Sequence, residues 1–384
     1  MEDIFVTQLQ IRKVRHLKNI NIPLSGNERK HLILTGKNGS GKTSVLEEIK
    51  KFLTGIENKE SGQKILIKCL LEKTNIVYPN ITVKFNSDIT LEKIYSAGRF
   101  VFSWFEAARI ADLEIPDGIA KTEIKKQYRL EERPGNQFVQ YLVNLKADQS
   151  FARDDNDTEA VLGIAEWFEN FENSLKEIFE DEALRLKFDR KNYNFNIIQE
   201  NREKFDFHTL SDGYSAIISI VSDLILRMEK NRKKNYDVQG IVLIDEIETH
   251  LHIELQKKIL PFLTNFFPKI QFIVTTHSPF VLTSADNAVV YDLEKELLIN
   301  DDLSGYSYDG IIESYFDADK YSDSVKNRIR EYEQLVLRGN LSDEEDERML
   351  ELRRYLKSIP PFLSKELSAK FHQIELARIG KKNG

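Results

Sequence analysis

Four short segments hold residue types that could do chemistry on a phosphate. Residues 36–43 read GKNGSGKT, a full match to the pattern G-x-x-x-x-G-K-[ST]. In such a loop Gly36, Gly39 and Gly41 let backbone N–H groups close around phosphate oxygens without Cβ obstruction, and Asn38 and Ser40 fill the turn between them. A helix starting here points its positive end at the same oxygens. Lys42 supplies a charge for the β and γ phosphates of ATP, and the Thr43 hydroxyl is a ligand for Mg2+.

The second segment, IVLIDE at 241–246, is an apolar strand ending in two acids. Asp245 can hold Mg2+ through water, and Glu246 is placed to polarise an attacking water as general base. A third segment ends in TTHS, with His277 at the carboxyl end of what reads as a parallel strand, where such sheets bind ligands. The fourth, LSDGYSAI at 210–217, puts Ser211 and Gly213 at the opening of a long apolar helix, whose first N–H groups could bind an anion. Taken alone, that fourth segment reads better as an ordinary N-cap serine beside a flexible glycine. Its weight comes from the order along the chain: GKNGSGKT, LSDGY, IVLIDE, TTHS.

The elements that must position these residues are legible as well. Residues 3–11 and 17–24 alternate like a strand pair, and HLILT at 31–35 is a buried strand running into the glycine loop. A helix is expected over 40–52 with Gly55 near its end, and strands over 64–70 and 79–85. From about 110 to 205 acidic and aromatic residues dominate. Trp167, Phe168, Phe171, Leu175, Ile178 and Phe179 recur there at helical spacing, which predicts a mainly helical insert. Further helices are expected at 210–229 and 251–266, and buried strands at 241–244 and 271–276. The last stretch is charged and helical. Val325, Ile329, Tyr332 and Val336 form a stripe that Gly339 ends, and Ser342 with Glu345 has the form of a capping box. Pro360 and Pro361 then precede a final helix around 364–378.

The bulk numbers agree with a globular protein. Of 384 residues, 41% are hydrophobic and 30% charged, which excludes a disordered chain. A single cysteine, Cys69, excludes an intramolecular disulfide framework and fits the reducing cytoplasm. No apolar run is long enough for a membrane helix, and the N-terminus does not read as a signal peptide. The net charge of −7 argues against coating nucleic acid with the whole surface.

In their order, the four motifs resemble the ABC ATPase superfamily. LSDGY looks like its signature motif, which usually reads LSGGQ. The stretch IVLIDEIETHLHIELQKKILPFLTNFFPKIQFIVTTHSPFVL is similar to the soluble branch that contains RecF, SMC-like and OLD-family ATPases. It resembles above all the compact ATPases of bacterial anti-phage systems of Septu, retron and PARIS type. LQIRKVRHLKNINIPL looks like the opening strand pair of that branch. The resemblance covers about residues 1–100 and 205–295.

It implies an α/β fold: a P-loop ABC ATPase head (1–110 and 205–318), an inserted mainly helical subdomain (111–204) and a C-terminal helical tail (319–384). It also implies that Ser211 and Gly213 contact the γ-phosphate of ATP bound to the opposite protomer, and that His277 is a switch histidine near that phosphate. ATP, with Mg2+, would join two copies head to tail, and slow hydrolysis would release them.

The pattern departs from the family in places. The Q-loop glutamine has no distinctive context here; Gln137, Gln140 and Gln149 are candidates. Where transporter subunits carry an aspartate after the second motif, this chain reads THLH, as is usual in the RecF/OLD-like branch. His250 and His252, two apart near a helix start, diverge and are not read as a metal pair. LVLRGNLSDEED at 335–346 resembles the acidic cluster of a TOPRIM nuclease only superficially, and reads better as a capped helix start. No nuclease activity is therefore expected from this chain alone. Three readings follow. The favoured one is a cytoplasmic ATP-driven sensor or scaffold for a separate effector, a nuclease or toxin, in anti-phage defence. The runner-up is a RecF-like DNA clamp in repair, using Arg12, Lys13, Arg15, Lys18 and Asn231–Lys234 on phosphates. The third, the ATPase subunit of a membrane transporter, is disfavoured by LSDGY and THLH.

Overall fold

Alternation of apolar and polar residues folds the first two strands, β1 (Val6–Val14) and β2 (Leu17–Pro23), into an antiparallel hairpin that pairs Leu9 with Ile22 and Ile11 with Ile20. The computed structural model describes residues 3–58, 76–77, 80–87, 91–200, 202–230, 236–284, 286–299, 323–338, 341–358, 370–376 and 378. The strand expected at 64–70, Cys69, the basic run 231–234, Gly339 and the two prolines at 360 and 361 lie outside the described residues.

β3 (His31–Thr35) is buried at every position and leads through the glycine loop into α1 (Lys42–Glu57). β4 (Ile76–Val77) and β5 (Ile81–Phe85) complete a four-stranded antiparallel sheet in the order β2-β1-β5-β4. α2 (Leu91–Ser96) precedes β6 (Phe100–Phe105), whose residues FVFSWF are all buried. A 3-10 turn, Pro134–Gln137, opens the helices α3 (Phe138–Asp154) and α4 (Thr158–Phe179). These are followed by a small antiparallel sheet of β7 (Arg185–Asp189), β8 (Asn194–Ile198) and β9 (Phe205–Asp206). The chain then runs through α5 (Asp212–Glu229), β10 (Gln239–Ile244), α6 (Ile253–Phe266) and β11 (Ile270–Thr275). The short α7 (Pro279–Leu282), β12 (Ala288–Asp292) and β13 (Leu297–Ile299) follow.

The central sheet has the order β13-β12-β3-β11-β10-β6 and is parallel from β12 to β6, with β13 antiparallel at the edge. β11 therefore lies between β3 and β10, and the carboxyl ends of all three meet at one edge. That topology brings GKNGSGKT, IVLIDE and TTHS together. One apolar core joins the hairpin (Leu9, Ile20), α1 (Val45, Phe52) and the sheet (Leu34, Leu243, Ile273). α1 carries the expected helix further than foreseen. Gly55 is buried within it, and the helix ends at Asn58, whose N–H donates to the Thr54 carbonyl, because Leu53 and Ile56 still have core to cover.

In the insert, Trp167, Phe171, Leu175, Ile178 and Phe179 are the buried face of α4, with Phe168 half-buried. Trp167 stacks on Phe171 at 5.4 Å, and Phe138 meets Phe171 edge-on at 5.4 Å. α5 is anchored by a fully buried Asp223–Arg227 pair at 2.6 Å. Ser103 of β6 donates to Asp223 at 2.8 Å, and Arg227 donates to the carbonyls of Arg129 and Glu132.

The molecule divides into two compact units, Met1–Tyr308 and Asp309–Gly384. The second holds α8 (Asp323–Arg338), α9 (Asp343–Ser358) and a helical segment at 370–376 around Ile329, Tyr332, Val336, Leu352, Leu356 and Phe371. The capping box forms as expected: Glu345 N–H donates to Ser342 Oγ at 3.3 Å, and Ser342 N–H to the Glu345 carboxylate at 3.1 Å. No described helix is long and apolar enough to cross a membrane.

Candidate active site

The loop after β3 is shaped by glycines whose backbone conformation L side chains rarely adopt. Gly36 and Gly41 have φ of 130° and 100°. A Cβ on Gly36 would lie 2.8 Å from Ser40 Oγ, and one on Gly41 would lie 2.9 Å from Leu17 Cδ1. Ser40 is buried inside this turn and its Oγ has no hydrogen-bond partner, whereas Asn38 and Gly39 are exposed at the rim. Lys42, also buried, donates from Nζ to the carbonyls of Gly36 at 2.9 Å and Lys37 at 3.2 Å. Burial lowers its pKa below that of an ordinary lysine, while Glu246, Glu248, Asp245 and Asp292 pull the other way.

From here a chain of hydrogen bonds crosses three strand ends. Thr43 Oγ1 donates to Asp245 Oδ2 at 2.9 Å, lying 3.2 Å from Oδ1. Thr275 Oγ1, at the end of β11, donates to Asp245 Oδ1 at 2.6 Å. The same Thr275 hydroxyl accepts from the Glu246 N–H at 2.7 Å. Glu246 itself has a left-handed backbone, φ 43°, and its carboxylate accepts from Thr249 Oγ1 at 3.4 Å. Two steps on, Glu248 accepts from the His277 N–H at 2.5 Å through Oε1, while its Oε2 is buried without a partner. Burial first, and the nearby Lys42 charge second, hold the His277 imidazole below its usual pKa, while Glu248, Glu246 and Asp245 pull the other way.

The structure thus gathers Lys42 and Thr43 from the start of α1, Asp245 and Glu246 from just after β10, and His277 from just after β11, at one edge of the sheet. It treats Ser211 and Gly213 differently. Ser211 stands at the N-cap of α5, exposed, and its hydroxyl makes no capping bond. Gly213 is buried against the His250 carbonyl. Among the described residues no hydrogen bond joins either of them to residues 36–43. Of the three glutamines, Gln140 is held by Gly118 and Asn144, Gln149 by Lys146 and Val161, and Gln137 closes the 3-10 turn. His250 sits in a left-handed conformation, φ 67°, and His252 caps α6 by accepting from the Glu254 N–H at 3.4 Å.

Three residues of this site were not singled out from the sequence. Thr275 precedes the Thr276 of TTHS and could have been found from its place at a strand end. Glu248 and Arg109 carry no local signal. The Arg109 guanidinium, 6% exposed, donates to the carbonyls of Asp245, Glu246 and Ile247.

The residues present fit a magnesium nucleotide: a buried hydroxyl without a partner in the loop, and Thr43 and Asp245 oxygens side by side, the hard donors that Mg2+ takes.

The chain is similar to several known proteins. The model of the family described as "AAA domain, putative AbiEii toxin, Type IV TA system" matches residues 32–283, from β3 to the end of α7. The Septu protein PtuA of Bacillus mycoides (strain KBAB4) is 29% identical over 335 residues, covering 81% of this chain and 44% of that protein. The "Retron Vc95 probable ATPase" of Vibrio cholerae serotype O1 biovar El Tor is 27% identical over 252 residues, 62% of this chain and 48% of its own length. The chain thus spans less than half the length of either relative. Among solved structures, an SMC head bound to the C-winged helix domain of ScpA covers 75% of this chain and 93% of its own, with 14% identity and a TM-score of 0.41. CbiO1 of Clostridium perfringens, part of the ABC transporter complex cbiONQ, covers 78% and 88%, with 13% identity and a TM-score of 0.36.

Proposed function

The chain belongs to the AAA-domain family whose model spans residues 32–283, and from that premise we propose that it binds and hydrolyses ATP between two copies of itself. The observation that carries this reading is the hydrogen-bond chain from Thr43 through Asp245 and Thr275 to the Glu246 N–H. The glycine loop and Lys42 take the β and γ phosphates, and Thr43 and Asp245 would hold Mg2+. Bound there, the metal neutralises charge on the phosphate oxygens. Glu246 accepts the proton of the attacking water. His277 is placed to hydrogen-bond the γ-phosphate.

The second copy enters through α5. Its first turn offers free N–H groups and an exposed Ser211 hydroxyl that is not spent on capping, suited to the γ-phosphate on a partner's loop. A ligand that touches both copies only when they are closed stabilises the closed pair by mass action. Likeness to Septu PtuA and to a retron ATPase supports placing the chain in anti-phage defence, as a cytoplasmic sensor or scaffold that acts with a separate effector such as a nuclease. A DNA clamp is the second reading. One observation favours it: Arg12, Lys13, Arg15 and Lys18 are all exposed on the β1–β2 hairpin. A steep loss of DNA affinity with salt would support it.

Phosphate release by purified protein tests the catalytic part. Glu246→Gln is expected to keep ATP binding and lose roughly 10²–10⁴ in turnover. Normal turnover by that variant would remove Glu246 from the role of general base.

A further inference from the structure

Arg109 follows β6 and reaches back under the loop that carries Glu246. Its NH1 donates to the carbonyls of Asp245 at 3.0 Å, Glu106 at 3.2 Å and Glu246 at 3.3 Å; its NH2 donates to Glu246 at 3.3 Å and Ile247 at 2.6 Å. Among the described residues it forms no ion pair, and its Nε is buried without a partner. Burying a guanidinium this way is unfavourable: desolvation draws its pKa down to about 10, against the pull of Glu248, Asp245 and Glu246. What the group secures is backbone geometry. Where β10 ends, the sheet no longer supplies donors for three successive carbonyls, and the middle one belongs to Glu246, a non-glycine residue at φ 43°. The Thr249 N–H holds that carbonyl at 2.9 Å, and the two Arg109 N–H groups add to it against rotation of the peptide.

The segment bearing Arg109 also touches α5. Ala111 N–H donates to Ser215 Oγ at 2.9 Å, and Ser215 is a buried residue two positions beyond Gly213. Gly213 in turn packs so closely on the other end of the Glu246 loop that a Cβ there would lie 2.9 Å from the His250 carbonyl. Both ends of the 245–250 loop are therefore braced against the first turn of α5, one through Arg109 and Ala111, the other directly.

We propose that Arg109 is a positioning residue for hydrolysis, fixing the Glu246 backbone and linking it through Ala111 and Ser215 to the helix start that faces the partner's nucleotide. This inference rests on the reading of Glu246 as general base. It implies that engagement of α5 in one site is felt by the base of the same chain's own site.

The test is a split between kcat and KM in steady-state ATP hydrolysis, with thermal unfolding measured alongside. One ammonium cannot span three carbonyls, so Arg109→Lys is expected to lower kcat by about ten- to a hundredfold with KM for ATP nearly unchanged. Ser215→Ala, a milder change that leaves Arg109 in place, is expected to lower kcat by about threefold through the same link. In a Glu246→Gln background Arg109→Lys should lower the residual rate no further, since its effect passes through Glu246. Wild-type kcat in a folded Arg109→Lys protein would overturn the proposal, as would equal losses with and without Glu246. Should Arg109→Lys fail to fold, an unchanged kcat in Ser215→Ala would overturn the link to α5. Normal turnover by Glu246→Gln alone would be a different failure, of the base assignment itself.

Discussion

The two halves of the proposed ATP site are finished to different degrees within one chain. The half at the sheet edge is wired: Thr43, Asp245, Thr275 and the Glu246 N–H form one continuous hydrogen-bond chain, and Lys42 is held by two loop carbonyls. The half at the start of α5 is open: Ser211 is exposed, makes no capping bond and reaches no group of the glycine loop. A serine at a helix start ordinarily spends its hydroxyl on the helix. The contrast suggests that one half is built to be rigid before nucleotide arrives, and the other to be completed by a second molecule.

The comparison can be broken at four points. The largest effect is expected from Lys42→Ala, which removes the phosphate charge and should weaken Mg-ATP binding by about 2–5 kcal/mol, measured by calorimetric titration. Next, Ser211→Arg should abolish ATP-dependent pairing while leaving ATP affinity of the single chain unchanged. If that variant still pairs, the open half is not where the partner's nucleotide binds. Third, Thr275→Val strands Asp245 Oδ1 and the Glu246 N–H, so chemical denaturation without nucleotide should show a loss of about 1–3 kcal/mol. The smallest effect sharpens the contrast. Ser211→Ala should change stability of the nucleotide-free protein by under about 0.3 kcal/mol, against the ~1 kcal/mol usual for removal of a capping serine. A full capping loss there would return Ser211 to an ordinary structural role.

Much of this was legible in the sequence because the signals are local. GKNGSGKT needs its glycines at fixed spacing, and IVLI and QFIVTT are short apolar runs bounded by polar residues. The hydrophobic stripes of α4 and of α8 survive intact in their packing. What was missed depends on contacts far apart in sequence. β6 reads as an apolar run without period, and only its pairing with β10 makes it a strand. The first two short strands at 185–206 do alternate, RLKFD and NFNII, but each is only five residues long and lies in a stretch whose acidic and aromatic residues read as helical. Arg109 looks like any surface arginine until β6 sets it beneath the Glu246 loop, 137 residues away in sequence. Gly55 was expected to stop a helix, yet core contacts on either side carry the helix past it.

The central claim is that ATP completes its site across two copies. Light scattering on Glu246→Gln protein, with and without ATP and Mg2+, tests it most directly. The account predicts a nucleotide-dependent rise from the mass of one chain to that of two, and none after Ser211→Arg is added. A Glu246→Gln protein that binds ATP and keeps the mass of a single chain would contradict it.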